Sequence, residues 1–200
     1  MSTNHDHPCN SLDRRSVLCR IARASAWAAS AAFGFNALSS LAYAATQDNW
    51  RMCEKCNMLF YHGYRKSICP AGGRHAARMS TNYVLPYDVP EGPHAQGAWR
   101  FCNRCESLFF VGYTPKGVCP AGQGHVAQGF VFVLPHEVSD RGSADKDWRY
   151  CTKCHALFYD HRAEKGRCAA GGGHTADGFN FVLRFHGNLE GDVELHPAQK

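Results

Sequence analysis

"WRMCEKCNMLFYHGYRKSICPAGGRH" fills residues 50–75 and puts three cysteines and one histidine in a stretch too short for a hydrophobic core of its own. The chain writes it twice more, as "WRFCNRCESLFFVGYTPKGVCPAGQGH" from Trp99 and "WRYCTKCHALFYDHRAEKGRCAAGGGH" from Trp148. Successive tryptophans stand 49 residues apart both times, so the unit is a true internal repeat. Each copy reads Cys-x-x-Cys, a gap of 12 or 13 residues, then Cys-x5-His. An apolar segment follows each time: "NYVLPY" at Asn82, "FVFVLPH" at Phe130 and "FNFVLRF" at Phe179.

A unit of that length needs a staple, because so small a core rarely stabilises a fold alone. Nine of the eleven cysteines lie in the repeats, and Cys9 and Cys19 precede them. Disulfides fit the count poorly: three cysteines per copy strand one in each unit, and three leftovers cannot all pair with one another. Adding the histidine gives four ligands per copy, the number a tetrahedral zinc site takes. A Cys-x-x-Cys knuckle aims two sulfurs at one point. Gly72, Gly122 and Gly171 lie between the third Cys and the His, where glycine permits a second tight turn.

The reading is therefore three Zn²⁺ per chain. Cys53, Cys56, Cys69 and His75 form the first site. Cys102, Cys105, Cys119 and His125 form the second, and Cys151, Cys154, Cys168 and His174 the third. A redox Cys-x-x-Cys would need a βαβ setting that the pattern does not supply. Iron prefers all-sulfur ligation, which the histidine argues against.

Three thiolates around Zn²⁺ leave one negative charge per site. A basic residue stands before the second Cys in every copy (Lys55, Arg104, Lys153), and another before the first (Arg51, Arg100, Arg149). Offsetting the site charge and orienting the sulfurs is the preferred role; a row of contacts for an anionic partner is the rival. Charge favours the former. The chain has 22 basic and 17 acidic side chains, and the first 44 residues hold four Arg against two Asp. The remainder has 18 against 15, or +3, too mild to argue for nucleic acid.

Residues 1–44 read as a cleaved export signal: Arg14-Arg15, then Ser16-Val17-Leu18, an Ala-rich stretch, and the small-x-small site Ala42-Tyr43-Ala44. No apolar run reaches the roughly 20 residues of a membrane helix. The expected mature chain thus starts at Ala45 with no membrane span. The paired arginines resemble a bacterial twin-arginine (Tat) signal. That resemblance implies export of an already folded protein to the periplasm or beyond. Zinc loaded in the cytoplasm would then shield the thiolates outside.

"WRMC" and "NMLFYHGY" are rich in aromatics with partial alternation, which suits strands, and the apolar segments add a strand per copy. The expected fold is three small β-rich zinc-ribbon-like units in tandem, over residues 50–87, 99–138 and 148–185, with a polar tail at 186–200. Leu59, Leu108 and Leu157, with Phe60, Phe109 and Phe158, are expected to join the tryptophans in the small core. A Trp50 or Tyr61 presented to a sugar is the alternative use of those rings. "DVPEGPHAQGA" and "VSDRGSADKD" read as linkers and favour independent beads over a closed pseudo-threefold β architecture.

The copies resemble the Cys3His zinc-ribbon repeats of exported bacterial proteins, over about 38 residues each plus the leader. The resemblance brings no established activity. Without a nucleophile elbow, P-loop or HExxH motif, no catalytic residue is assigned. The expected function is a non-enzymatic binding module of the envelope or secreted space, with a protein or glycan partner. Zinc handling is one rival, and an enzyme using Asp160 and His161 is another.

Overall fold

A computed structural model describes residues 45–64, 66–77 and 81–186. The expected export signal, residues 1–44, lies outside the described residues, as does the tail beyond His186. All nine elements among the described residues are strands, three per copy. Copy 1 contributes β1 (Thr46–Met52), β2 (Leu59–Tyr61) and β3 (Tyr83–Pro86). Copy 2 contributes β4 (Ala95–Cys102), β5 (Leu108–Phe110) and β6 (Ala127–Pro135). Copy 3 contributes β7 (Ala144–Cys151), β8 (Leu157–Tyr159) and β9 (Ala176–Phe185). Among the described residues no helix is long and apolar enough to cross a membrane.

Within each copy the long first strand pairs antiparallel with both others, and its tryptophan faces the same partner position: Trp50↔Tyr61, Trp99↔Phe110, Trp148↔Tyr159. A β-bulge precedes each tryptophan, where Asn49, Ala98 and Asp147 take positive φ values of 64°, 59° and 68°. Asn and Asp tolerate this conformation and Ala does not readily, so the bulge is imposed at Ala98 by its surroundings. Its effect is to turn the indole inward. All three tryptophans are fully buried.

The units are zinc-ribbon-like and in tandem, but they are not beads. Trp50, Trp99 and Trp148 share one core with Leu59, Leu108, Leu157, Tyr83, Phe132 and Phe181, drawn from all three copies. Backbone bridges close the ring: Phe60↔Ser107 joins copy 1 to 2, Phe109↔Ala156 joins 2 to 3, and Met58↔Phe158 returns 3 to 1. A second ring of pairings repeats the order, with Tyr87↔Phe132, His136↔Phe181 and Tyr83↔Phe185. The closed pseudo-threefold alternative is the one the chain adopts.

The polar segments between copies are too well tied to act as free linkers. Their ends, from Ala95 and from Ala144, already belong to β4 and β7. Asp88 N–H donates to the Val131 carbonyl of the next copy at 2.8 Å, and Glu137 N–H to Asn180 at 3.0 Å. The first tail residue, His186, is also held, donating its N–H to Asn82 at 3.0 Å.

One core expectation needs correction. The leucines join the tryptophans, but Phe60, Phe109 and Phe158 pack with the cysteines instead. Adjacent residues of a strand point to opposite faces, so Leu59 and Phe60 had to part.

Candidate metal centres

Two tight turns build each site. In the first, the backbone doubles back through Cys-x-x-Cys: Asn57 N–H donates to Cys53 C=O at 2.8 Å, with the same bond at Glu106–Cys102 and His155–Cys151. The second turn follows the third cysteine. There Gly72, Gly122 and Gly171 N–H groups donate to Cys69, Cys119 and Cys168 at 2.9–3.0 Å. Those glycines have φ of 95°, 84° and 93°, the left-handed turn expected of them.

The twelve residues named from the sequence converge into three buried sets, each with its ligand atoms within 4.8 Å of one another. All nine cysteines among the described residues are free. The Sγ–Sγ separations of 3.8 Å (Cys53–Cys69) and 3.9 Å (Cys102–Cys119, Cys151–Cys168) far exceed a disulfide bond of about 2.0 Å. They match the edge of a tetrahedron whose centre lies about 2.3 Å from each sulfur. The Sγ–Nδ1 edges, 3.4 Å for Cys56–His75 and 3.5 Å for Cys105–His125 and Cys154–His174, fit the shorter bond to nitrogen. Each set can hold one metal ion with four protein ligands.

The histidine tautomer is fixed by the neighbouring copy. His125 Nε2 lies 3.0 Å from the Cys154 carbonyl, and His174 Nε2 3.0 Å from the Cys56 carbonyl. A carbonyl only accepts, so Nε2 carries the hydrogen and Nδ1 is left to face the sulfurs. His75 Nε2 meets Ser107 Oγ at 3.3 Å instead. Each imidazole also stacks on its own copy's Phe, at 4.7 Å for Phe60–His75 and 4.6 Å for Phe109–His125 and Phe158–His174.

Crowding three thiols together splits their acidities. Hydrogen bonds from the other cysteines hold Cys53, Cys102 and Cys151 far below the usual thiol range. Burial pushes Cys56 and Cys105 well above it, and hydrogen bonds from Cys151 and Cys168 do the same to Cys154. Burial would lower His125 and His174, but hydrogen bonds to two cysteine sulfurs of the same site outweigh it and raise both to about 9. A metal ion must therefore displace protons, and its affinity falls with acid.

The basic residues of the first turn tie it to the second. Lys55 Nζ donates to Gly72 at 2.6 Å and Arg104 to Ala121 and Gly122 at 2.9 and 2.8 Å. Lys153 Nζ reaches Gly171 and Gly173 at 2.8 and 2.5 Å. Arg100 and Arg149 donate to Gly129 and Gly178 in the closing strands. These are intramolecular duties that brace the two turns.

The remaining candidates do not assemble. Asp160 pairs with Lys165 at 2.9 Å, while exposed His161 pairs with Asp147 at 3.0 Å. The structure does not join them into a dyad. Sequence reading missed Ser67, Glu106 and Ser107, which are buried at the junction of copies 1 and 2. They differ from their counterparts in the other copies, and that difference was the available signal. No family model, curated protein or solved structure matches this chain.

Proposed function

We propose that the chain is an exported, zinc-stabilised, non-enzymatic binding module of the cell envelope or secreted space, holding three Zn²⁺. One observation carries the structural role of the metal: all four donors of every set are buried and close on one point. A catalytic zinc keeps an open coordination position, and these sets offer none. The mixed sulfur–nitrogen donors favour zinc over an iron–sulfur arrangement. Tandem copies around one axis present related surfaces several times, which suits multivalent attachment to a repeated protein or glycan target.

Elemental analysis of protein purified without added metal should give about three zinc ions per chain, with thiols unreactive until a strong chelator is added. Loss of zinc to a mild chelator without unfolding would favour the zinc-handling alternative. Export rests on Arg14 and Arg15 and on Ala42-Tyr43-Ala44. Replacing both arginines with Lys should hold the precursor in the cytoplasm; continued export would remove the twin-arginine route.

A further inference from the structure

Where copy 1 meets copy 2, the surface opens into a hollow of about 100 Å³ walled by Tyr61, Tyr64, Phe101 and Phe130, with Gln47 and Gln128 at its edge. The rings form one cluster: Tyr61–Tyr64 at 5.3 Å, Tyr64–Phe101 at 5.7 Å, and Phe130 stacked on Tyr87 at 3.8 Å. Copies 2 and 3 repeat the cluster with Phe110–Tyr113 at 5.4 Å and Tyr113–Tyr150 at 5.9 Å, and Phe179 stacked on His136 at 3.7 Å.

The fold does not need all of these rings. Where copy 3 meets copy 1, Met52 stands at the position of Phe101 and Tyr150, and Arg162 at that of Tyr64 and Tyr113. Core packing accounts for Phe101 and Tyr150, which rest against the tryptophan core, but not for Tyr64 and Tyr113, which are 59% and 57% exposed. Two junctions thus each keep one tyrosine ring largely in water at an equivalent position, where the third has Arg162.

We infer that the aromatic hollow between copies 1 and 2 is a binding site for the rings of a neutral saccharide, with the ring cluster at Tyr113 and Tyr150 as a second platform, where Asp177 stands in the place of Gln128. The argument rests on the binding-module reading and specifies its ligand class. Among the described residues, none of the side chains lining this hollow is charged, which fits a ligand without ionic groups. A pyranose presents a C–H face that packs on aromatic rings and a rim of hydroxyls that seeks amides. Gln47 supplies such an amide: its Oε1 accepts the Trp50 indole N–H at 3.2 Å, leaving its N–H groups as donors. The hollow and the second cluster together would engage successive units of one glycan, or neighbouring chains, with a gain in avidity.

The test uses the zinc-loaded mature chain and isothermal titration with cellotetraose, maltotetraose and chitotetraose, with tetramethylammonium as the cationic rival for an aromatic site. At least one tetrasaccharide should bind. Tyr64→Ala and Tyr113→Ala should each weaken it about fivefold or more, and the double variant should abolish it. Both positions are exposed, so zinc content and melting temperature should not change. The inference is overturned if no tetrasaccharide binds at millimolar concentration, if the double variant binds as the parent does, or if tetramethylammonium binds in their place. Specific binding of a protein ligand by a chain that binds no tetrasaccharide would sink this inference and leave the module reading standing.

Discussion

The junction from copy 1 to copy 2 differs from the other two, and the difference turns on one side chain. At the later junctions a glycine lets two backbones touch. A Cβ on Gly117 would come within 2.3 Å of the Cys154 carbonyl, and one on Gly166 within 2.3 Å of the Cys56 carbonyl. Those are the carbonyls that accept from His125 and His174. Copy 1 has Ser67 where the others have glycine, and its loop is one residue shorter. There the histidine turns to Ser107 Oγ, Ser67 Oγ accepts the His75 N–H at 3.2 Å, and Glu106 Oε1 accepts the Lys66 N–H at 3.1 Å. Backbone bridges close all three junctions; beside them the later two bring backbones into contact at a glycine, and the first adds side-chain hydrogen bonds where Ser67 replaces that glycine.

The largest effect should come from breaking the ring at a metal. Structural zinc contributes an apparent ~10–16 kcal/mol in small zinc peptides at neutral pH. Cys102→Ser removes a ligand of the second site. That site also fixes His125 against Cys154 of copy 3, while Trp99 and Leu108 sit in the shared core. All three tryptophans should then lose their buried environment in one transition, followed by fluorescence and NMR dispersion. Copies 1 and 3 keeping native spectra would mean that closure contributes little.

A smaller effect should separate the two kinds of junction. Gly166 has φ of 65°, so Gly166→Ala meets both backbone strain and the Cys56 carbonyl. The cost should be roughly 3 kcal/mol or more, with weakened metal retention at the third site, whose His174 loses its acceptor. Ser67→Gly removes one hydrogen bond and should cost about 1 kcal/mol. Denaturant melts of the zinc-loaded variants measure both, and equal costs would erase the distinction.

Much of this molecule could be read from its sequence, for physical reasons. Ligand spacing is local, so Cys-x-x-Cys, Cys-x5-His and the turn glycines revealed the three sets before any geometry was known. The burial of Trp50, Trp99 and Trp148 followed from their recurrence in so small a unit. Closure was hidden because backbone groups make it. Pairings such as Met58↔Phe158 span the whole set of repeats and leave no mark in residue type. A polar segment of about ten residues between copies serves a bead and a closed ring equally well. Only the departures from the repeat, Ser67 for glycine and Met52 for an aromatic ring, carried information about the junctions.

The smallest expected effect tests what the first junction costs. Glu106 is 3% exposed, and its Oε2 has no hydrogen-bond partner among the described residues. Burial raises its carboxyl above the usual range, although the Lys66 N–H bond pulls the other way. A carboxyl raised in the folded state binds its proton more tightly there than in the unfolded chain. Its contribution is therefore full below the unfolded value of about 4.5 and is lost as pH rises through the folded one. At neutral pH the buried charge opposes folding. Glu106→Gln keeps an oxygen for Lys66 and removes the charge, so it should be neutral or stabilising by up to about 1 kcal/mol at pH 7. Metal affinity also changes with pH, so the quantity to measure is the difference between variant and parent in urea melts of zinc-loaded protein at pH 5 and pH 7. That difference should favour the variant more at pH 7. A variant less stable than the parent at pH 7 would show instead that the carboxylate is a stabilising acceptor, and that the side-chain junction is as well satisfied as the glycine ones.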